Sequence, residues 1–324
     1  MMKVALIGCG TIGGVHAASM TGAGLELAVC ADEARAAASK LAKQYGAKTA
    51  TPEEALKRAD IDVVAVCVPT PSHGDYVKAA AKAGKAIFCE KPFCRTAAEC
   101  RQAMKAAEKA KVKLFIAHVV RYFHEFDAMR AQVKSGAVGK PGFAKVYRGG
   151  GYPTGRKNWY RDYAQSGGVA FDCLIHDLDW LRYTFGEPVR VFGQTLMRTK
   201  PEQLDYAQVT MKMKSGLIAS ATGTWAHPGG FRVKTEVCGD GGMLQFDSAQ
   251  ASLFVQPRAA AGGGGTIIPG SPVLTSPYQL EWEDFRAWLE TDRTPRVLPE
   301  DGLRAVEIAA GVLKSAETGR AVAL

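Results

Sequence analysis

From residue 3 to residue 119 the sequence keeps returning to one pattern, a short apolar run followed by a helix-patterned stretch, and no other feature limits the fold as tightly. KVALIG (3–8), LELAVCA (25–31), IDVVAVCVP (61–69), AIFCE (86–90) and KLFIAHV (113–119) read as strands. The run 61–69 has no polar face, which suits a central strand covered on both sides. Helix-start signals lie between the runs: Thr51 with Glu54 and Thr96 with Glu99 have capping-box spacing, and Ser72 is suited to cap the alanine-rich stretch after it. Strands alternating with helices predict a parallel sheet with helices packed on it.

After about residue 140 the period changes. FAKVYRG, YAQVTMKMK, LIASATGTWA, RVKTEVC and MLQFD are strand-like and are separated by turns such as KSG and GDGG, a pattern that predicts an antiparallel sheet. The expected fold is therefore α/β: an N-terminal domain at 1–119 built on a parallel sheet, then an α+β domain at 120–324 with a large, mainly antiparallel open sheet. Residues 278–291 and 299–318 read as closing helices, and the AAAGGGG tract (259–265) with Pro269, Pro272 and Pro277 as a mobile loop.

A chain of 324 residues with 47% apolar residues has enough material for two cores. Its N-terminal apolar run is too short for a secretory signal, and no segment approaches the length of a membrane span, so a soluble, cytoplasmic protein is expected. The formal charge of +9 is spread over many helices rather than gathered into an arm, which argues against nucleic acid as a partner. The eight cysteines form no CxxC pair, and the spacing of Cys89, Cys94 and Cys100 fits no paired-ligand pattern, so no metal is expected.

The first strand runs directly into GCGTIG, with Thr11 and Ile12 between Gly10 and Gly13, and the second strand ends at Asp32. Glycines here allow a tight turn and close backbone approach, the helix start faces a pyrophosphate, and an acid at the second strand's end accepts from ribose hydroxyls. Asp32 disfavours a 2'-phosphate, so NAD is expected over NADP, although Arg35 lies three positions on. His16 reads as a packing residue of the first helix.

FDCLIHDLDW (171–180) combines acids and a histidine with an apolar run. On one continuous helix Asp172, His176 and Asp179 fall within about 60° of each other, with Asp177 off that stripe and Phe171, Leu174, Ile175, Leu178 and Leu181 on the other side. Upstream, Tyr152 and Trp159 lie in a loop with Arg156 and Lys157, and an aromatic ring there is suited either to stacking on a sugar or to packing the loop.

Taken in order, GCGTIGGVH, DIDVVAVCVPTPSHGDYV, GKAIFCEKP and FDCLIHDLDW resemble the Gfo/Idh/MocA family of NAD(P)-dependent oxidoreductases over essentially the whole chain, and the last element is most similar to inositol-dehydrogenase-like members. The resemblance implies that Lys91 of Glu90-Lys91-Pro92 reaches the nicotinamide end and the reacting hydroxyl, that Pro92 follows a cis peptide, and that Pro69, Thr70 and His73 line the cofactor cleft. It implies His176 as the proton-handling group with Asp172 beside it, and an open sheet that forms a homodimer or homotetramer; Tyr152 and Trp159 are candidate substrate contacts on their ring chemistry alone. The chemistry agrees, because oxidising an alcohol releases a hydride and a proton, and histidine titrates in the range needed to take the proton. The substrate class implied is a cyclic polyol, sugar or sugar derivative. Redox-assisted glycoside cleavage with tightly bound NAD, and a non-catalytic NAD-responsive regulator, are the competing readings.

Overall fold

The computed structural model describes residues 1–198, 204–250 and 274–324. The AAAGGGG tract, with Pro269 and Pro272, lies outside the described residues.

In chain order, the first part contains β1 (Lys3–Ile7), α1 (Thr11–Gly22), β2 (Glu26–Ala31), α2 (Arg35–Tyr45), β3 (Lys48–Ala50), α3 (Pro52–Lys57), β4 (Val63–Val66), α4 (His73–Lys82), β5 (Ala86–Glu90), α5 (Ala97–Ala110) and β6 (Leu114–Ala117). Its six strands are all parallel, in the order β3-β2-β1-β4-β5-β6. This is the doubly wound order whose switch point, between β1 and β4, opens at the carboxyl ends of the strands. Both capping boxes form, with Thr51 and Glu54 starting α3 and Thr96 and Glu99 starting α5. Ser72 makes no side-chain cap: its backbone is helical (φ −95°, ψ −8°) because a 3₁₀ turn, Thr70–Ser72, runs straight into α4.

The chain continues through α6 (His124–Lys134), β7 (Pro141–Gly149), α7 (Tyr163–Ser166), α8 (Gly168–Asp172), α9 (Ile175–Phe185), β8 (Pro188–Arg198), β9 (Leu204–Met213), β10 (Ile218–Thr224), β11 (Arg232–Gly239), β12 (Gly242–Asp247), α10 (Pro277–Thr291), α11 (Pro299–Thr318) and β13 (Val322–Ala323). The second sheet has the order β12-β11-β7-β10-β9-β8-β13, antiparallel except where β7 and β10 run parallel at its centre. One face carries buried Ala144, Val146, Val209, Met211, Ala219 and Val237. Residues of opposite parity, Phe143, Phe192, Leu196, Tyr206, Ile218 and Met243, are exposed on the other.

The chain divides into two compact units, Met1–Val119 with Ser276–Leu303, and Val120–Thr275 with Arg304–Leu324. The stretch 276–303, assigned from sequence to the second domain, thus belongs to the first unit. The reason is visible in α10: Trp282 stacks on Phe88 of β5 with ring centroids 3.9 Å apart and planes 8° from parallel, and Phe285 packs edge-on against the same ring. Among the described residues no helix is long and apolar enough to cross a membrane.

Candidate active site

The glycine loop joins β1 to α1. Gly8 has φ +100°, and a Cβ there would lie 2.4 Å from the Cys67 carbonyl oxygen; one on Gly13 would lie 2.0 Å from that of Gly8. Gly8 is demanded by the backbone that follows β4, and Gly13 by packing inside the loop. Gly10 differs, since a Cβ on it would meet no atom within 4 Å, which leaves the space in front of it open. The first turn of α1, which starts at exposed Thr11 and half-buried Ile12, holds no acid. Open backbone at a helix start without nearby negative charge fits a pyrophosphate.

Asp32 is aimed by the same loop: its Oδ2 accepts from the Cys9 N–H (2.8 Å) and its Oδ1 from the Ala34 N–H (2.6 Å). Close by, Glu33, Glu53, Leu56, Asp75 and Tyr76 line a depression. Its apolar members suit an adenine, while Asp32 and the adjacent Glu33 repel a 2'-phosphate. Arg35 is exposed and acts electrostatically on Glu54. The residues present therefore fit NAD.

Glu90 ends β5, and the Lys91–Pro92 peptide is cis. Glu90 is buried; its Oε2 accepts from the Lys91 N–H (2.9 Å) and its Oε1 from the His16 Nε2–H (2.6 Å). Burial pushes this carboxyl up, but the His16 hydrogen bond and the nearby Lys91 and His73 outweigh it and hold the group below the usual carboxylate range. His73 is also buried, with Nδ1 2.8 Å from the Pro92 carbonyl oxygen and Nε2 2.8 Å from that of Val68, and burial pushes its pKa down. Its ring thus lies between the Val68 and Pro92 carbonyls, and in its neutral form it donates to one of the two. Thr70 opens the 3₁₀ turn and is buried. Glu90 and His73, placed from sequence among the cofactor-lining residues, are buried against the backbone at Val68, Lys91 and Pro92.

In the second unit the single helix expected across 171–181 is two helices. Asp172 is the last residue of α8 and His176 the second of α9. Between them the Leu174 N–H reaches back five residues to Val169 O (2.9 Å), and the Asp177 N–H only three, to Leu174 O (2.9 Å). The rotation of α9 is set instead by two buried, two-pronged ion pairs. Arg148 of β7 donates through Nε and Nη2 to Asp177, both at 2.7 Å, and Arg121 donates to Asp179 at 2.8 and 2.6 Å. Asp179, placed from sequence on one stripe with Asp172 and His176, is thus an anchor. The half-buried His176 stands in the first turn of a helix locked by both pairs.

Tyr152 donates from its hydroxyl to the Tyr160 carbonyl (3.3 Å) and packs edge-on against Trp225, as Tyr160 also does. Trp159 leans on Tyr160, with centroids 4.1 Å apart, in a loop where Lys157 and Asn158 both have positive φ. Trp225, the hub of this cluster, escaped sequence reading because it follows β10 as one more apolar residue. Asp205 escaped too: buried in β9, it accepts from the Val169 N–H at the start of α8 (2.8 Å), and burial pushes its pKa up to about 6.

A parallel nucleotide-binding sheet with a glycine loop, an acid at the end of β2 and a Lys-Pro step at the end of β5 defines a dinucleotide-dependent oxidoreductase. Residues 2–118 match the oxidoreductase family with an NAD-binding Rossmann fold, and residues 126–245 match the GFO/IDH/MocA C-terminal domain. The chain belongs to the GFO/IDH/MocA oxidoreductase family. It is 30% identical to the inositol 2-dehydrogenase of Rhizobium meliloti (strain 1021), covering 100% of this chain and 99% of that one. It is 28% identical to the scyllo-inositol 2-dehydrogenase (NAD(+)) of Bacillus subtilis (strain 168), covering 100% and 96%. The crystal structure of a myo-inositol dehydrogenase from Corynebacterium glutamicum ATCC 13032 is similar with a TM-score of 0.82 at 26% identity, covering 100% and 99%.

Proposed function

We propose that this oxidoreductase removes a hydride from a secondary hydroxyl of a cyclic polyol, sugar or sugar derivative, with NAD as the acceptor. The observation that carries the reading is the placement of His176 in the first turn of α9, just past Asp172 at the end of α8, on a helix fixed by the Arg148–Asp177 and Arg121–Asp179 pairs. A proton-transfer group needs that rigidity, since loose placement of a base forfeits much of its effect. The similarity to inositol dehydrogenases supports the substrate class.

NAD supplies the hydride-accepting ring. His176 takes the hydroxyl proton as the C–H bond breaks, Asp172 orients the imidazole or holds a neighbouring hydroxyl, and the Lys91 ammonium donates to the reacting oxygen and stabilises its developing negative charge. Tyr152 and Trp159 offer ring faces to the apolar side of the substrate, and the bare backbone at Gly10 with Asp32 seats the dinucleotide.

The test is NADH formation at 340 nm with purified protein, NAD and a panel of inositols, pyranoses and anhydrosugars. Turnover with at least one member is expected, and His176→Ala is expected to lower kcat by about 10²–10⁴-fold while leaving NAD affinity intact. No NADH with any member would overturn the reading. Release of a leaving group from a glycoside without NADH build-up would replace it with redox-assisted cleavage.

The same proposal includes self-association in the cytoplasm through the open face of the second sheet. Phe192, Leu196, Tyr206 and Ile218 lie on that face with polar Gln194, Gln208 and Ser220 among them, a mixture suited to a homodimer or homotetramer contact.

A further inference from the structure

The bonds behind Lys91 form a directed chain. Trp282 Nε1–H is a donor with no acceptor capacity, and it lies 3.0 Å from His16 Nδ1. That nitrogen must therefore present its lone pair, so the ring's proton sits on Nε2, where it is donated to Glu90 Oε1 at 2.6 Å. The second Glu90 oxygen is left to accept the Lys91 N–H at 2.9 Å. An imidazolium, or the opposite tautomer, would set two N–H groups against each other in a buried site, where an unmet donor is costly.

The surroundings enforce the arrangement. His16 is fully buried and ringed edge-on by Phe88, Tyr278 and Trp282, so its plane cannot turn. Trp282 is locked by its stack on Phe88. Next to it on α10, Glu281 is fully buried, and burial with Glu90 close by pushes its carboxyl well up, so the anionic charge of this cluster rests on Glu90.

We infer that His16 and Trp282 are positioning residues for Lys91: the indole fixes the imidazole as the Nε2–H tautomer, the imidazole fixes the Glu90 carboxylate, and Glu90 fixes the backbone from which the Lys91 amine extends. His16 rides on α1, the helix that the glycine loop opens, so the seat of the dinucleotide and the root of Lys91 are tied through one pair of hydrogen bonds. The inference rests on the reading of Lys91 as the substrate-facing amine.

Two measurements test it. In the intact protein without substrate, ¹⁵N NMR of the histidine rings, assigned with His16→Gln, is expected to show His16 as the neutral Nε2–H tautomer; an Nδ1–H tautomer or an imidazolium would overturn the chain of donors. In steady-state assays His16→Ala is expected to lower kcat on the order of tenfold to a hundredfold while NAD affinity and substrate KM change less than about threefold. His16→Gln, whose amide both donates and accepts, is expected to recover most of that loss. Trp282→Phe, which removes the indole N–H together with part of the ring volume and keeps a ring against Phe88, is expected to fall between them. Wild-type kcat in His16→Ala, or His16→Gln as slow as His16→Ala at equal thermal midpoints, would reduce the pair to ordinary packing. If the wild-type protein oxidises no polyol, the substrate reading fails, and the tautomer measurement still decides the hydrogen-bond chain.

Discussion

Asp205 shows how one carboxyl in this chain is tuned by its surroundings. Its pKa rises from 3.8 to about 6 because burial outweighs the single N–H it accepts from Val169. The folded state therefore holds a proton that the unfolded chain has already lost between those values, and stability falls by about 3 kcal/mol as pH climbs from 4 to beyond 6. Asp205→Asn keeps an acceptor for Val169 and removes that penalty. Its thermal midpoint is expected to exceed wild type clearly at pH 8 and to converge on it at pH 4; an equal gain at both values would show that ionisation is not the cause. The residues legible in the sequence were those whose role is written in local spacing: Gly8 and Gly13 by their turn, Asp32 by its place at a strand end, Thr51 and Thr96 by their capping partners. Asp205, Trp225 and the His16–Trp282 pair were not legible, because their partners lie far away in sequence and no local pattern marks them.

At the scale of elements, α9 rests on two arginines that arrive from other segments. Breaking a buried ion pair leaves an uncompensated charge, so Asp177→Ala is expected to cost about 3–5 kcal/mol in denaturant unfolding, and Arg148→Met with Asp177→Leu to recover most of it. A double variant as unstable as the single one would mean that Asp177 matters through its size rather than its charge. The periodicity of 171–181 suggested one helix because helical spacing continues in register across Cys173 and Leu174, and the break shows only in the backbone hydrogen bonds of Leu174 and Asp177. β8 also went unread. Its alternation is interrupted at Gly193, where a Cβ would stand 2.8 Å from the Val312 carbonyl oxygen, so close packing by α11 had removed the side chain that would have marked the strand.

For the molecule as a whole, the exposed face of the second sheet sets the expected assembly. Replacing Leu196 and Ile218 together by Lys adds charge to two exposed positions without touching either core, and is expected to shift the sedimentation coefficient to that of a monomer while the far-ultraviolet spectrum stays unchanged. An unaltered sedimentation profile would place any self-contact elsewhere. The boundary of the first unit near residue 119 was read from the end of the strand–helix alternation, but the return of α10 to that unit was not, because an amphipathic helix carries no mark of which sheet it will cover. That return has a consequence for biosynthesis. The ribosome releases β1 to β6 long before residue 282, so during translation Phe88 and His16 face solvent where an indole will later lie. The nucleotide-binding unit is thus a late product of synthesis, and a nascent chain stalled before α10 should recruit chaperones that the finished chain no longer needs.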